Sequence, residues 1–230
     1  MNIGIIGSSG GSAFSQIVSI LDACSVADHE FYVVTDRKCG MGRFCEEHGI
    51  SHALISEPNN ELFSRRCLDH FGSAGPMDFI LLFYTRYISP VLFREMPTLN
   101  IHPSLLPSFK GLHAVEDAFK AGCKFVGCTL HVVTESIDDG PFVAQAIAPV
   151  SQGAEIADWN RISFFQKVYL GLLAIELVGE KRILFRDLNR ELVVQGDLRT
   201  SGNFNPCISS ESVENELVKL AAIQNVGFQP

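Results

Sequence analysis

The residues best placed to do chemistry lie in one run, Asn100-Ile101-His102-Pro103-Ser104-Leu105-Leu106-Pro107. Asn100 and His102 are two apart, so on a strand they project from one face, and Pro103 ends the strand just beyond them. A neutral amide that donates to a developing oxyanion would then stand beside an imidazole able to move a proton near neutral pH. The plainer alternative is that both side chains only satisfy backbone groups at the turn. Asp138 and Asp139 precede Gly140-Pro141, an ordinary turn composition. If that turn folds over the same sheet edge, one carboxylate can orient His102 and stabilise its protonated form; otherwise both are solvated turn residues. A third feature is the loop Gly7-Ser8-Ser9-Gly10-Gly11-Ser12, whose amides can face a phosphate or carboxylate where a helix begins, with Ser12 as cap or ligand. It misses the GxGxxG register because position 9 is serine, and a tight strand-to-helix connection alone also calls for glycine. His131 on a strand and His113 on a loop read as structural or pocket-lining, and Cys128 as a small buried hydrophobe. No set of ligands has metal spacing.

These side chains need a frame that brings three distant segments together. Asn2 to Ile6 is a short apolar run that ends in the glycine loop, after which Phe14, Ile17, Val18 and Leu21 recur at helical spacing. Strand-like runs follow at Phe31 to Val34, Ser51 to Ile55, Phe79 to Phe83 and Thr98 to His102. Helical patterns at Arg43 to His48, Glu61 to Phe71, Pro90 to Glu95 and Ala114 to Ala121 punctuate them. Strands alternating with helices predict a parallel sheet covered on both faces, with ligands at the carboxyl ends of its strands. From Phe125 the pattern changes to two strands, the second over Phe142 to Val150, which predicts a paired return. An amphipathic helix is expected from about Asp158 to Val178, a small hairpin from Arg182 to Phe185 with Leu192 to Gln195, and a last helix over Val213 to Ile223.

Composition bounds the remaining choices. With 230 residues, 25.3 kDa and 47% hydrophobic residues, the chain can bury a substantial core, so disorder throughout is excluded. The net charge of −8, from 26 acidic and 18 basic residues, offers no general attraction to nucleic acid or anionic membranes. No run approaches the ~20 apolar residues of a membrane span, and Met1 to Ile6 reads as a strand without a basic leader. Seven scattered cysteines without a CxxC pair suggest neither disulfides nor zinc and fit a reducing cytoplasm.

Taken together, the runs Asn100 to Gly111 (NIHPSLLPSFKG), Gly127 to Val133 (GCTLHVV) and Ile137 to Pro141 (IDDGP) resemble the folate-dependent formyltransferases, with the phosphoribosylglycinamide formyltransferases as the nearest branch. The resemblance spans roughly residues 1–185 and implies a Rossmann-like, doubly wound, mostly parallel α/β fold, followed by a C-terminal extension over 186–230. It implies an enzyme that moves the formyl group of 10-formyltetrahydrofolate, a co-substrate, to a primary amine without a metal. Glycinamide ribonucleotide, in purine biosynthesis, is the default acceptor.

The catalytic triad implied is Asn100, a protonated His102 and Asp138. The folate pocket falls on Thr85, Arg86, Tyr87 and Ile88 and on the loop from Val133 and Thr134 to Asp138, with Leu92 and Ile101 adding to its wall. The acceptor phosphate falls on Gly10, Gly11, Ser12 and Ala13, where the family reads glycine-serine-asparagine. The family's ribose-binding glutamate falls on Gln166, with Ser163 near its phosphate-facing lysine or equivalent. The partners implied are small molecules, with no nucleic acid or membrane, and a homodimer as a possible assembly. Other readings stay open: formylation of a nucleotide-linked amino sugar, hydrolysis of formyltetrahydrofolate, and, from a different class, a nicotinamide-dependent oxidoreductase or nucleotide-binding module built on the glycine loop and Asp36. Formylation of aminoacyl-tRNA fits poorly with the charge and with the few residues left for a second domain.

Overall fold

The computed structural model describes residues 1–26, 29–186 and 191–228. Eight strands form one sheet in the order β10-β7-β6-β5-β4-β1-β2-β3. Its parallel part comprises β1 (Asn2–Gly7), β2 (Glu30–Thr35), β3 (Ser51–Leu54), β4 (Phe79–Phe83) and β5 (Thr98–His102). On the other flank β6 (Phe125–Val132) pairs antiparallel with both β5 and β7 (Phe142–Pro149). The expected return is therefore a two-stranded extension of the sheet. The strand order reverses between β1 and β4, which opens a crevice at their carboxyl ends.

Pleating sorts the apolar strands onto two cores. Ile3, Ile5, Leu81, Leu99, Ile101 and Leu130 face α1 (Ser12–Ala23), α2 (Gly40–His48) and α6 (Ile156–Gly179). Ile6, Val34, Ile80 and Leu82 face α3 (Asn60–Ala74) and α4 (Pro90–Phe93) on the opposite side. A smaller cluster joins α5 (Ala114–Lys120) to Trp159 near the start of α6. The helices begin where sequence chemistry predicts. Asn59 accepts from the amides of Glu61 and Leu62 to cap α3, and Glu155 with Asp158 forms a capping box on α6. At α1, however, Gly11 and not Ser12 is the cap residue, in left-handed backbone at φ 74°.

Among the described residues α6, at 24 residues, is long and apolar enough to cross a bilayer, contrary to the sequence expectation. Here it is a core helix: Leu170, Leu173 and Ala174 are fully buried, which is why it is apolar nearly all round. The small hairpin forms from β8 (Ile183–Arg186) and β9 (Glu191–Val194), while its connection at 187–190 lies outside the described residues. A two-residue strand that the sequence does not announce, β10 (Phe204–Asn205), pairs with β7. The last helix, α7 (Glu211–Gln224), packs on α1 and α6. Tyr169 of α6 stacks on Phe204 at 3.8 Å and donates nothing to it, its hydroxyl instead accepting from the Ile208 amide. The carboxylate of Glu176 accepts from the amides of Ser209 and Ser210 just ahead of α7.

Candidate active site

Asn100 and His102 lie at the carboxyl end of β5, on the face opposite Leu99 and Ile101. Register places Asn100 beside His131 of β6. The His131 Nδ1–H donates to the Val132 carbonyl at 3.0 Å, and its Nε2 lies 3.2 Å from Asn100 Nδ2. One N–H of the Asn100 amide thus stays free for another acceptor. The turn carrying Asp138 folds over this edge. Its carboxylate lies 3.3 Å from His102 Nδ1 and 3.6 Å from His131 Nε2, and it accepts from the Gly111 amide at 3.0 Å. Asp138 takes left-handed backbone, φ 50°, to reach there. Gly140 is required for the same closure, because a Cβ at that position would stand 1.8 Å from the Val132 carbonyl oxygen. Asp139 points away and pairs with Lys110 at 2.6 Å.

Burial pushes His102 below its ordinary value; the Phe109 carbonyl and Asp138 pull it back up, while His131 and the charge of Lys167 add to the lowering. Burial thus favours the neutral ring. Its Nε2–H donates to the Phe109 carbonyl at 2.8 Å, so Nδ1 is the nitrogen that accepts a proton, facing the Asp138 carboxylate. Asp138 itself is pushed up by burial, but His131, the Gly111 amide and His102 together hold it below the ordinary carboxylate value. The arrangement can take a proton at Nδ1 and has an acceptor waiting for each N–H of the resulting imidazolium. His131, read from sequence as structural or pocket-lining, bridges Asn100 and Asp138. The signal that would have found it is strand register, which sequence alone does not supply.

The expected folate residues divide. Ile88 and Leu92 are buried in the core cluster beneath α3 and α4, with Val133 packed against it, on the same face of the sheet as Asn100 and His102. Thr85 and Tyr87 are exposed at the crevice, the Thr85 hydroxyl 3.4 Å from that of Ser8, and Thr134 bonds to the Ser136 carbonyl within its own turn. The Arg86 side chain turns away: it donates to Asp36, to Asn60 and to the Glu57 and Pro58 carbonyls, so only its backbone remains for a ligand. Asp36, the carboxylate a ribose-binding reading needs, is buried and held by Arg37 at 2.9 Å as well as by Arg86. Ile101 does not belong to this wall. The pleat sends it to the other face, against α1 and α6.

On the acceptor side, Gly10 and Ser12 are exposed at the start of α1, and Ala13 packs its methyl into the core. The glycines have a packing reason of their own: a Cβ at Gly7 or Gly11 would meet Met41 at 2.3 or 2.7 Å. Gln166 is 1% exposed; its Nε2 donates to the Val126 carbonyl at 3.2 Å, and its Oε1 is buried without a hydrogen-bond partner among the described residues. Ser163 is likewise buried, against Cys128, whose thiol burial pushes up to about 11.

Comparison with known proteins agrees with the fold. Residues 1–165 match the formyl transferase family profile. The chain is 32% identical over 162 residues to a phosphoribosylglycinamide formyltransferase from Escherichia coli, covering 66% of this chain and 75% of that protein. It is 34% identical over 173 residues to a formyltetrahydrofolate deformylase from Arabidopsis thaliana, covering 74% of this chain but only 51%, about half, of that relative. Among solved structures, glycinamide ribonucleotide transformylase 1 from Symbiobacterium toebii superposes with a TM-score of 0.74 at 29% identity, over 85% of this chain and 94% of the other. With residues 1–165 of its 230 matched by the family profile, this chain belongs to the formyl transferase family.

Proposed function

We propose that the protein transfers the formyl group of 10-formyltetrahydrofolate to a primary amine, with glycinamide ribonucleotide the first acceptor to try. The observation that carries this reading is the convergence of Asn100, His102, His131 and Asp138 at one sheet edge beside the apolar residues Ile88, Leu92 and Val133. The amine lone pair attacks the formyl carbon, a C–N bond forms, and the carbonyl oxygen gains negative charge. The free N–H of Asn100 donates to that oxyanion. His102 takes the proton shed by the amine at Nδ1, directly or through one water, and its charge, balanced by Asp138, stabilises the tetrahedral intermediate. The bond to the folate nitrogen then breaks, and that nitrogen leaves as an amine with the proton returned from His102. The pterin is read by backbone groups of the 85–88 and 133–138 loops, and the amides at the start of α1 hold the acceptor phosphate.

Similarity to the deformylases favours a second reading at the same site, in which water replaces the amine and formate is released. One assay separates them: consumption of 10-formyltetrahydrofolate with no amine, with glycinamide ribonucleotide, and with nucleotide-linked amino sugars. Turnover that requires glycinamide ribonucleotide supports the proposal, turnover only with an amino sugar changes the acceptor, and equal turnover without amine establishes the hydrolase. No consumption under any condition refutes both.

A further inference from the structure

Ser89 is the cap residue of α4, yet its hydroxyl caps nothing. Its amide donates to the Ser64 Oγ of α3 at 2.9 Å and its carbonyl accepts from the Leu92 amide, so both backbone groups are paired. The hydroxyl, on a residue 6% exposed, has no hydrogen-bond partner among the described residues. Buried hydroxyls are nearly always paired, because an unpaired one forfeits the bonds it made to water. This one borders a groove of about 460 Å³ between α3 and α4, a volume typical of small-molecule sites.

The other polar walls of the groove are charged. Glu61 and Arg65 stand one turn apart on α3, Arg65 next to the Ser64 that holds the Ser89 amide, and Arg94 and Glu95 close the far side. Arg94 is already balanced, its Nε and Nη2 donating to Glu135 at 3.0 and 2.8 Å. The side chains of Arg65, Glu61 and Glu95 have no partner among the described residues. The groove thus offers a guanidinium, two carboxylates and a hydroxyl, a set that neither a simple anion nor a simple cation satisfies. A molecule carrying both an ammonium and a carboxylate does. We propose that the groove is a second ligand site, taking a free α-amino acid whose carboxylate meets Arg65 and the Ser89 hydroxyl and whose ammonium meets Glu61 or Glu95. Ser89 directly follows Ile88, and Arg94 holds Glu135 of the 133–138 loop, so an occupant borders both loops proposed to read the pterin.

The site stands apart from formyl transfer and is tested without folate. The full chain is screened by thermal shift against the common amino acids, and the best of them is titrated by calorimetry beside acetate and methylamine, each of which carries only one of the two charges. The expected result is saturable binding of an amino acid, roughly 10-fold or more tighter than of either half-ligand. Arg65→Met weakens it roughly 10- to 100-fold, the loss of one charge-assisted hydrogen bond, and Ser89→Ala weakens it roughly 10-fold. Because Ser89→Ala removes an unpaired hydroxyl, that variant melts no lower than wild type when no ligand is present. Glu61→Gln combined with Glu95→Gln weakens amino-acid binding and spares acetate. Absence of saturable binding by every amino acid overturns the proposal, as does unchanged affinity in a normally melting Arg65→Met or Ser89→Ala variant. Acetate binding as tight as the amino acid overturns it too, in favour of a plain anion site.

Discussion

Replacing Asp138 by asparagine isolates the charge at the centre of the site. The carboxylate lies 3.3 Å from His102 Nδ1, and both side chains are nearly buried, at 10% and 5% exposure. At an effective dielectric constant of ~20 the attraction between Asp138 and an imidazolium at that distance is about 5 kcal/mol before desolvation is deducted. Truncating one partner of such a buried pair costs ~2–4 kcal/mol, so kcat should fall ~30- to 1,000-fold. Asparagine keeps an oxygen for the Gly111 amide, which confines the change to charge. The pH profile supplies a sharper test. Because Asp138 raises His102 against burial, its loss lowers the imidazole further, and the acid limb of kcat/KM moves to lower pH. Stability has its own sign. The folded Asp138 titrates below its ordinary 3.8, so its contribution is present above that value and is lost as pH falls through the folded one. Urea unfolding should therefore find the variant less stable at pH 7, with the gap closing below about pH 4. A kcat within threefold of wild type, or an acid limb that stays put or moves upward, would refute the assignment of Asp138 as the imidazolium's counter-charge.

Gly140→Ala places a methyl within 1.8 Å of the Val132 carbonyl oxygen, so the Asp138 turn must shift; kcat/KM should drop roughly 100-fold, the scale of an ångström's misplacement, in a chain whose far-ultraviolet dichroism is unchanged. Ile101→Ala should cost ~2–5 kcal/mol in urea unfolding while leaving the folate KM within about twofold, because the cavity opens between β5, α1 and α6; a large KM change would return Ile101 to the folate wall. Arg86→Met removes the clamp between Asp36, Asn60 and the 57–58 carbonyls, and should destabilise by about 3 kcal/mol and weaken folate-analogue binding together, read by thermal melts and titration.

The donor side of the site was legible in sequence because short-range rules govern it. The two-residue period of a strand places Asn100 with His102, proline ends the strand beside them, and the Asp-Asp-Gly-Pro composition marks the turn that returns to them. The same period, applied to Ile101, excludes it from the pocket; the family resemblance suggested otherwise, and the pleat decides. What local rules do not supply is register across strands, which sets His131 beside Asn100, and the balance of burial against neighbouring charge, which pushes His102 below its ordinary value. Nor does composition announce β10, two residues whose place is fixed by aromatic packing of Phe204 on Tyr169 and by pairing at the edge of β7.

The acceptor side was less legible for a reason specific to helices. Along a helix one residue is a rotation of about 100°, so an uncertainty of one position moves a side chain from the core to the site. Gln166 and Lys167 are such a pair. The Gln166 amide is buried and donates to the Val126 carbonyl, whereas Lys167 beside it is half-exposed. The phase of α6 is set by what its other residues must bury: Leu170, Leu173 and Ala174 are fully enclosed, and Gly171 admits Ile17. With that face fixed against the sheet and α1, position 167 is left half-exposed.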